Sequence, residues 1–182
     1  MNIAVFCSSS NNIADHYKQA AFQLGKLIAS SGNKLVYGGA TGGLMDAVAK
    51  GAQSKNGGII GVISQAIIKM NRQSNLPTEL ITVETLSDRK AQMKTLSDVF
   101  VVLPGSYGTL DEMLDIVTSG IVGEHNKPLI LVNQEGFYDQ FLNQIHKMRS
   151  ELFIPVEERY KPLIAQNVNH CMELINLSTK NS

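Results

Sequence analysis

Neither sign of charge dominates this chain. Sixteen Lys and Arg balance sixteen Asp and Glu, so no global field recruits nucleic acid or an anionic membrane, and any anion site must be local. No apolar run approaches the ~20 residues needed to span a bilayer. The amino end, Met1-Asn2-Ile3-Ala4-Val5-Phe6-Cys7, lacks the charged region and long apolar stretch of a signal peptide, which leads to the expectation of a cytoplasmic protein. Cysteine is scarce. Cys7 and Cys171 lie far apart and outline no disulfide framework. Cys7 has no histidine near it in sequence and reads as a small buried thiol rather than a nucleophile. His16, His125, His146 and His170 show no metal-ligand spacing, so neither a metal nor another cofactor is expected. The Walker pattern G-x-x-x-x-G-K-[ST] is missing, which removes the main support for a nucleotide triphosphatase. No G-x-G-x-x-G follows the first apolar segment, where Phe6-Cys7-Ser8-Ser9-Ser10 stands, so the standard dinucleotide fold is also not indicated.

What the chain does have is alternation. Apolar runs at residues 2–7, 34–37, 59–63, 80–83, 99–103 and 129–132 read as strands. Segments with helical spacing lie between and after them, at 14–30, 44–54, 87–95, 109–122, 137–148 and 168–177. Residues 65–77 read as a short helix and a loop. Strands and helices at this spacing require a mainly parallel sheet with helices on both faces, a three-layer α/β fold. At 182 residues, with no repeat, linker or low-complexity tract, residues 1–182 are expected to form one domain. Such sheets bind ligands beyond the carboxyl ends of their strands. Three loops fall there: Ser8–Ser10, Gly38-Gly39-Ala40-Thr41-Gly42-Gly43 and Pro104–Thr109. Topology predicts that they converge on one edge.

The third loop is the most informative. Leu103-Pro104-Gly105-Ser106-Tyr107-Gly108-Thr109-Leu110-Asp111-Glu112 joins the end of an apolar strand to the start of a helix. The free N–H groups and dipole of such a helix end form a natural seat for an anion. Glu112 stands about one turn beyond it, so a phosphate cradle would have a carboxylate beside it. The same residues also fit a capping box, Thr109-x-x-Glu112. Both readings stand at this level.

Three motifs recur in order: Gly38-Gly39-x-x-Gly42-x-Leu44-Met45, Arg89-Lys90-x-x-Met93 and Pro104-Gly105-x-x-Gly108-Thr109-x-x-Glu112. Together they resemble the LONELY GUY family of cytokinin riboside 5′-monophosphate phosphoribohydrolases, whose older label is lysine decarboxylase. The resemblance runs from the first strand to about Lys127-Pro128 and weakens beyond. It implies a Rossmann-like fold, a homodimer, and cleavage of a nucleoside 5′-monophosphate into free base and ribose 5-phosphate. Carried over residue by residue, it makes Arg89 and Glu112 the candidate catalytic pair. Ser9, Gly39, Thr41, Gly42, Lys90, Gly105, Ser106, Tyr107, Gly108, Thr109 and Asp111 become the candidate substrate contacts. The chain also departs from the pattern. Ser106 and Ala40 replace glycines, Leu86-Ser87-Asp88 precedes Arg89 where the family has M-H-E, and Asn71 aligns with an upstream carboxylate. Thr118-Ser119-Gly120-Ile121-Val122-Gly123 replaces T-W-x-Q-L-G, a stretch the family would place at the base pocket. The base, adenine or an N6-modified adenine, is left open.

The residue chemistry supports the same reaction. Breaking an N-glycosidic bond builds positive charge on the ribose, which a carboxylate near the anomeric carbon stabilises, or that carboxylate orients the attacking water. Glu112 is the first candidate, with Asp111 and Asp115 as substitutes. Successive helical residues are rotated by about 100°, so only one of Asp111 and Glu112 is expected to face the ligand. Arg89 keeps its proton and therefore serves as an electrostatic grip rather than a general acid. Alone, Arg89-Lys90 also fits a solvated helix face. A second function class remains, a noncatalytic carrier of a phosphorylated ligand similar to the molybdenum-cofactor carriers. A carrier needs the cradle but not the carboxylate.

Overall fold

A computed structural model describes residues 1–178; the last four residues of the expected 1–182 domain lie outside the described residues. The element order is β1 (Asn2–Phe6), α1 (Asp15–Ser30), β2 (Lys34–Tyr37), α2 (Gly43–Gln53), β3 (Ile59–Ser64), α3 (Gln65–Lys69), β4 (Glu79–Val83) and α4 (Leu86–Leu96). It continues with β5 (Val99–Val102), α5 (Tyr107–Val122), β6 (Leu129–Val132), a 3-10 turn (Gln134–Gly136), α6 (Asp139–Ser150), β7 (Leu163–Ala165) and α7 (Val168–Ser178). The strands form one sheet in the order β4-β3-β2-β1-β5-β6-β7, and every neighbouring pair is parallel. This is the expected Rossmann-like three-layer fold.

Alternation along each strand divides the core into two layers. Ile3, Val5, Leu35, Tyr37, Val99 and Val101 face one side, where they pack with Leu24 and Ile28 of α1, Leu44 and Val48 of α2 and Ile175 of α7. Ala4, Phe6, Val36, Phe100, Val102, Leu129 and Leu131 face the other, against Met93 of α4 and Met113 and Ile116 of α5. Strands covered on both faces carry unbroken apolar runs, which explains why β1, β2, β3, β5 and β6 were legible as such.

Three details differ from the sequence reading. β7 is a three-residue edge strand, too short to show a period. α5 begins at Tyr107, with Ser106 as its N-cap, two residues earlier than expected. α6 begins at Asp139, because the chain first passes through the turn at Gln134–Gly136, where Glu135 is left-handed at φ 53.

The order reverses between β1 and β5, the switch point at which a crevice opens in such sheets. The three expected loops do meet there. Ser8 N–H donates to Pro104 O at 3.3 Å and Leu44 N–H to Ser8 O at 2.9 Å.

Candidate active site

Arg89 lies three residues into α4, and a capping box sets where that helix starts. Thr85 Oγ1 accepts the Asp88 N–H at 3.0 Å, and Asp88 Oδ2 accepts the Thr85 N–H at 3.0 Å. This is the capping box of the site region, not Thr109-x-x-Glu112. The N-cap of α5 is Ser106, with no side-chain cap bond. Thr109 is instead buried against Gly105, where a Cβ would lie 2.1 Å from Thr109 Oγ1. The capping reading of Glu112 is therefore replaced by a different one.

From α4 the Arg89 side chain runs beneath the loops. Its Nε donates to Val62 O at 3.0 Å, and its Nη1 donates to Glu112 Oε1 at 2.6 Å. Both residues are buried, Arg89 at 8% exposure and Glu112 at 6%. Gly38 makes room for the guanidinium, since a Cβ there would stand 1.9 Å from Arg89 Nη2. Burial pushes the Glu112 carboxyl above its ordinary value, and the Arg89 charge opposes that rise without cancelling it. Cys7, next to Glu112, is buried, and its thiol is pushed up by burial first and then by the Glu112 carboxylate. It is held as the neutral thiol expected from sequence.

Glu112 opens onto a small cavity of about 100 Å³ lined by Cys7, Ser8, Ser9, Met45, Ser106, Gly108 and Thr109. Above it stands the first turn of α5. The N–H groups of Tyr107, Gly108 and Thr109 find no hydrogen-bond acceptor among the described residues, while Leu110 N–H already closes onto Ser106 O at 3.0 Å. A Cβ on Gly108 would meet nothing within 4 Å, so this turn is open to a ligand. Its unpartnered donors and its dipole are the features that an anion seat requires.

The start of α2 does not offer a second set of free amides. The first amides of α2 are already spent: Leu44 and Met45 N–H groups both donate to Ser8 O, and Gly43 N–H donates to Asn11 Oδ1 at 3.0 Å. Gly42 permits this stacking of loop on loop, since a Cβ there would lie 2.5 Å from Ser9 O, and its φ of +105 suits glycine. Gly39, at φ +62, is packed against Ile63 and Leu80, and Thr41 is bonded through its N–H to Arg72 O at 2.8 Å. Gly39, Thr41 and Gly42 are not among the residues that line the cavity.

Lys90 and Asp111 are brought together, but away from the cavity. They pair at 2.9 Å across the outer seam of α4 and α5, and Asp115 joins the same network through Lys90 at 3.7 Å and Lys94 at 3.4 Å. The Asp111 carboxylate raises the Lys90 ammonium. Of the three carboxylates weighed on α5, only Glu112 faces the cavity, as the rotation per residue requires. Tyr107 projects from the rim, 91% exposed. Ser119 is buried and bonded to His125 Nε2 at 3.1 Å, and Gly120 packs against the Tyr160 ring. Of the stretch expected at the base pocket, Ser119 and Gly120 are thus buried within the monomer, whereas Ile121 and Val122 are exposed. Sequence reasoning gave Arg72 no role, and it quoted Gly38 and Met45 in a motif without counting them among the candidate contacts. The Thr85-x-x-Asp88 box was a readable signal for the start of α4. Among the described residues no group of three or more His, Cys, Asp or Glu side chains is placed to hold a metal ion, and no helix is long and apolar enough to cross a membrane.

With this geometry established, comparison with known proteins places the chain among relatives. A family model described as "Possible lysine decarboxylase" matches residues 45–175. The cytokinin riboside 5′-monophosphate phosphoribohydrolase LOG of Oryza sativa is 38% identical over 86% of this chain and 65% of its own length, so the chain spans just under two thirds of that relative. LOG2 of Arabidopsis thaliana is 35% identical over 95% of this chain and 81% of its own length. Among solved structures, the molybdenum cofactor binding protein of Rippkaea orientalis has a TM-score of 0.74 at 25% identity, over 98% of this chain and 96% of its own. The Moco carrier protein of Chlamydomonas reinhardtii, with a TM-score of 0.75 at 21% identity over 100% and 98% of the two chains, shares the fold. On the match to the family model and to relatives such as LOG2, the chain belongs to the LONELY GUY family, described by its model as possible lysine decarboxylase.

Proposed function

We propose that this protein hydrolyses the N-glycosidic bond of a nucleoside 5′-monophosphate, acting as a single nucleotide-monophosphate-binding domain. Water adds its hydroxyl to the anomeric carbon and its proton goes to the departing base. The observation that carries this reading is the buried Arg89–Glu112 pair at 2.6 Å, directly below the unpaired first amides of α5. The phosphate sits on Ser106–Thr109, with the Ser106 hydroxyl at the cavity wall. The ribose then lies toward Glu112, whose carboxylate stabilises the developing positive charge or orients the water. Arg89 holds that carboxylate in place and favours its ionised form. The names of the rice and Arabidopsis relatives support the same chemistry.

Incubation with adenosine monophosphate, followed by detection of free adenine, tests the reading. The monophosphate is expected to be turned over on the order of a hundredfold or more faster, in kcat/KM, than adenosine. Charge-assisted hydrogen bonds contribute roughly 1.5–3 kcal/mol each, and adenosine forfeits at least two. Equal turnover of the two compounds would remove the phosphate seat from the account. A noncatalytic carrier has support from the molybdenum cofactor binding protein that is 25% identical over nearly the whole chain; tight binding of adenosine monophosphate without adenine release would favour it.

A homodimer is the assembly expected to act. On the outer face of α5, Leu114, Ile121 and Val122 are 43%, 44% and 71% exposed, whereas Met113 and Ile116 are buried in the monomer. Leu114, Val117 and Ile121 line an apolar groove of about 380 Å³ shared with Phe141 and Ile145 of α6. An apolar face of this kind suits self-association. Light scattering should give twice the monomer mass at micromolar concentration, and Leu114→Glu with Ile121→Glu should return the monomer. A wild-type monomer would reject the dimer.

A further inference from the structure

We infer that Arg72 is a positioning residue for the reaction proposed above, a clamp that holds the Ser9 and Thr41 rims of the crevice in register with the α5 seat. The inference rests on the nucleotide reading, but its test separates from that reading.

Arg72 lies in the connection between α3 and β4, which the sequence presents as an unremarkable loop. Asn71 adopts a left-handed conformation at φ 55 and turns the chain back over the crevice. The segment then runs antiparallel to the β2–α2 loop. Thr41 N–H donates to Arg72 O at 2.8 Å and Ser74 N–H donates to Gly39 O at 2.9 Å, with an isolated bridge between Ala40 and Gln73. The side chain continues the grip. Arg72 Nη2 donates to Thr41 O at 2.9 Å and to Ser9 O at 3.2 Å.

These contacts divide into two kinds. The backbone bonds tie the strap to the β2–α2 loop alone. Only the guanidinium reaches both loops, and Ser9 is the residue through which its pull arrives at the cavity wall. The carbonyls of Ser8, Ser9 and Ser10 all lie close to Gly42, Gly43 and the start of α2. Ser8 O is satisfied there by backbone N–H groups, and Arg72 supplies the donor for Ser9 O. A cationic donor shared between two carbonyls makes charge-assisted bonds to each. Without it Ser9 O would lose its donor, and the loop, held otherwise through Ser8 and Asn11, would loosen at Ser9, where ligand binding would have to order it again. The reacting groups Arg89 and Glu112 hang from α4 and α5 and would be undisturbed. The effect therefore belongs in binding, not in the chemical step.

The experiment compares wild type, Arg72→Ala and Arg72→Lys, with adenosine monophosphate as the probe. Arg72→Ala should raise KM and the dissociation constant roughly tenfold while kcat stays within about threefold. Amide exchange at Thr41, measured without ligand, should quicken, and Arg72→Lys should restore part of the affinity. Unchanged affinity in Arg72→Ala overturns the clamp, as does a loss in kcat at constant KM, or unchanged exchange at Thr41. If wild type binds the monophosphate but releases no adenine, the hydrolase reading fails while the affinity comparison still decides Arg72. A wild type that does not bind it at all removes both.

Discussion

Glu112→Gln is expected to lower turnover of adenosine monophosphate by on the order of 10²–10⁴-fold while leaving its dissociation constant within a few-fold. Glutamine is nearly isosteric and its amide oxygen can still accept from Arg89 Nη1, so the buried contact at 2.6 Å keeps its shape. What disappears is the negative charge facing the cavity. If Glu112 merely joined α4 to α5, glutamine would serve almost as well and turnover would hold. The pH profile adds an independent check. Burial sets the Glu112 carboxyl above its ordinary value, with Arg89 opposing, and only the ionised form can stabilise a cationic ribose. The acid limb of kcat/KM should therefore lie above the usual carboxylate range, with activity falling as pH drops through that raised value. The residual activity of Glu112→Gln should lack this limb. Wild-type turnover in the variant would remove Glu112 from the mechanism.

Arg89→Ala should damage both activity and stability. The variant leaves Glu112, 6% exposed, without its cation. Removing one partner from a buried ion pair costs about 3–5 kcal/mol when the remaining charge cannot escape. Glu112 has an escape, because it can take up a proton. Its folded-state pKa, already raised, should rise further. The loss of stability should then be small at low pH, where the carboxyl is neutral in both folded and unfolded chains. It should grow as pH climbs from the wild type's raised folded value to the variant's higher one. The acid limb of activity should move to higher pH in step. Urea unfolding at several pH values, beside the rate profile, measures both. Gly38→Ala offers the same test by geometry, because its methyl would lie 1.9 Å from Arg89 Nη2 and must displace the guanidinium without removing it. A deficit independent of pH in Arg89→Ala would show that the pair is packing alone.

Much of the fold was legible because its strands are covered on both sides. Val99-Phe100-Val101-Val102 is buried throughout, and a run of that kind between turn signals has few alternatives. β7 escaped because three residues at a sheet edge carry no period. The start of α5 was misplaced for a related reason: Ser106, Tyr107 and Gly108 have no apolar face to announce the helix. The candidate site was legible in part. The Pro104–Glu112 segment displays its strand end, glycine loop and carboxylate in one stretch of chain, so it could be read locally. Lys90 shares a motif with Arg89 but is turned toward solvent and Asp111, and a motif does not say which of two adjacent helical residues faces inward.

By itself, then, the sequence determined the layered α/β class and the strand ends that carry the loops. These follow from periodicity and turn chemistry, which act over a few residues. Only the tertiary structure decided which groups remain free to act. The amides of α2 are consumed by Ser8 and Asn11 from a loop some thirty residues away, whereas those of α5 are left open. Arg89 reaches Glu112, 23 residues distant, only because Gly38 on a third loop leaves the space. A hydrogen-bond donor can be spent once, and whether it is spent depends on partners brought close by the fold rather than on neighbours along the chain.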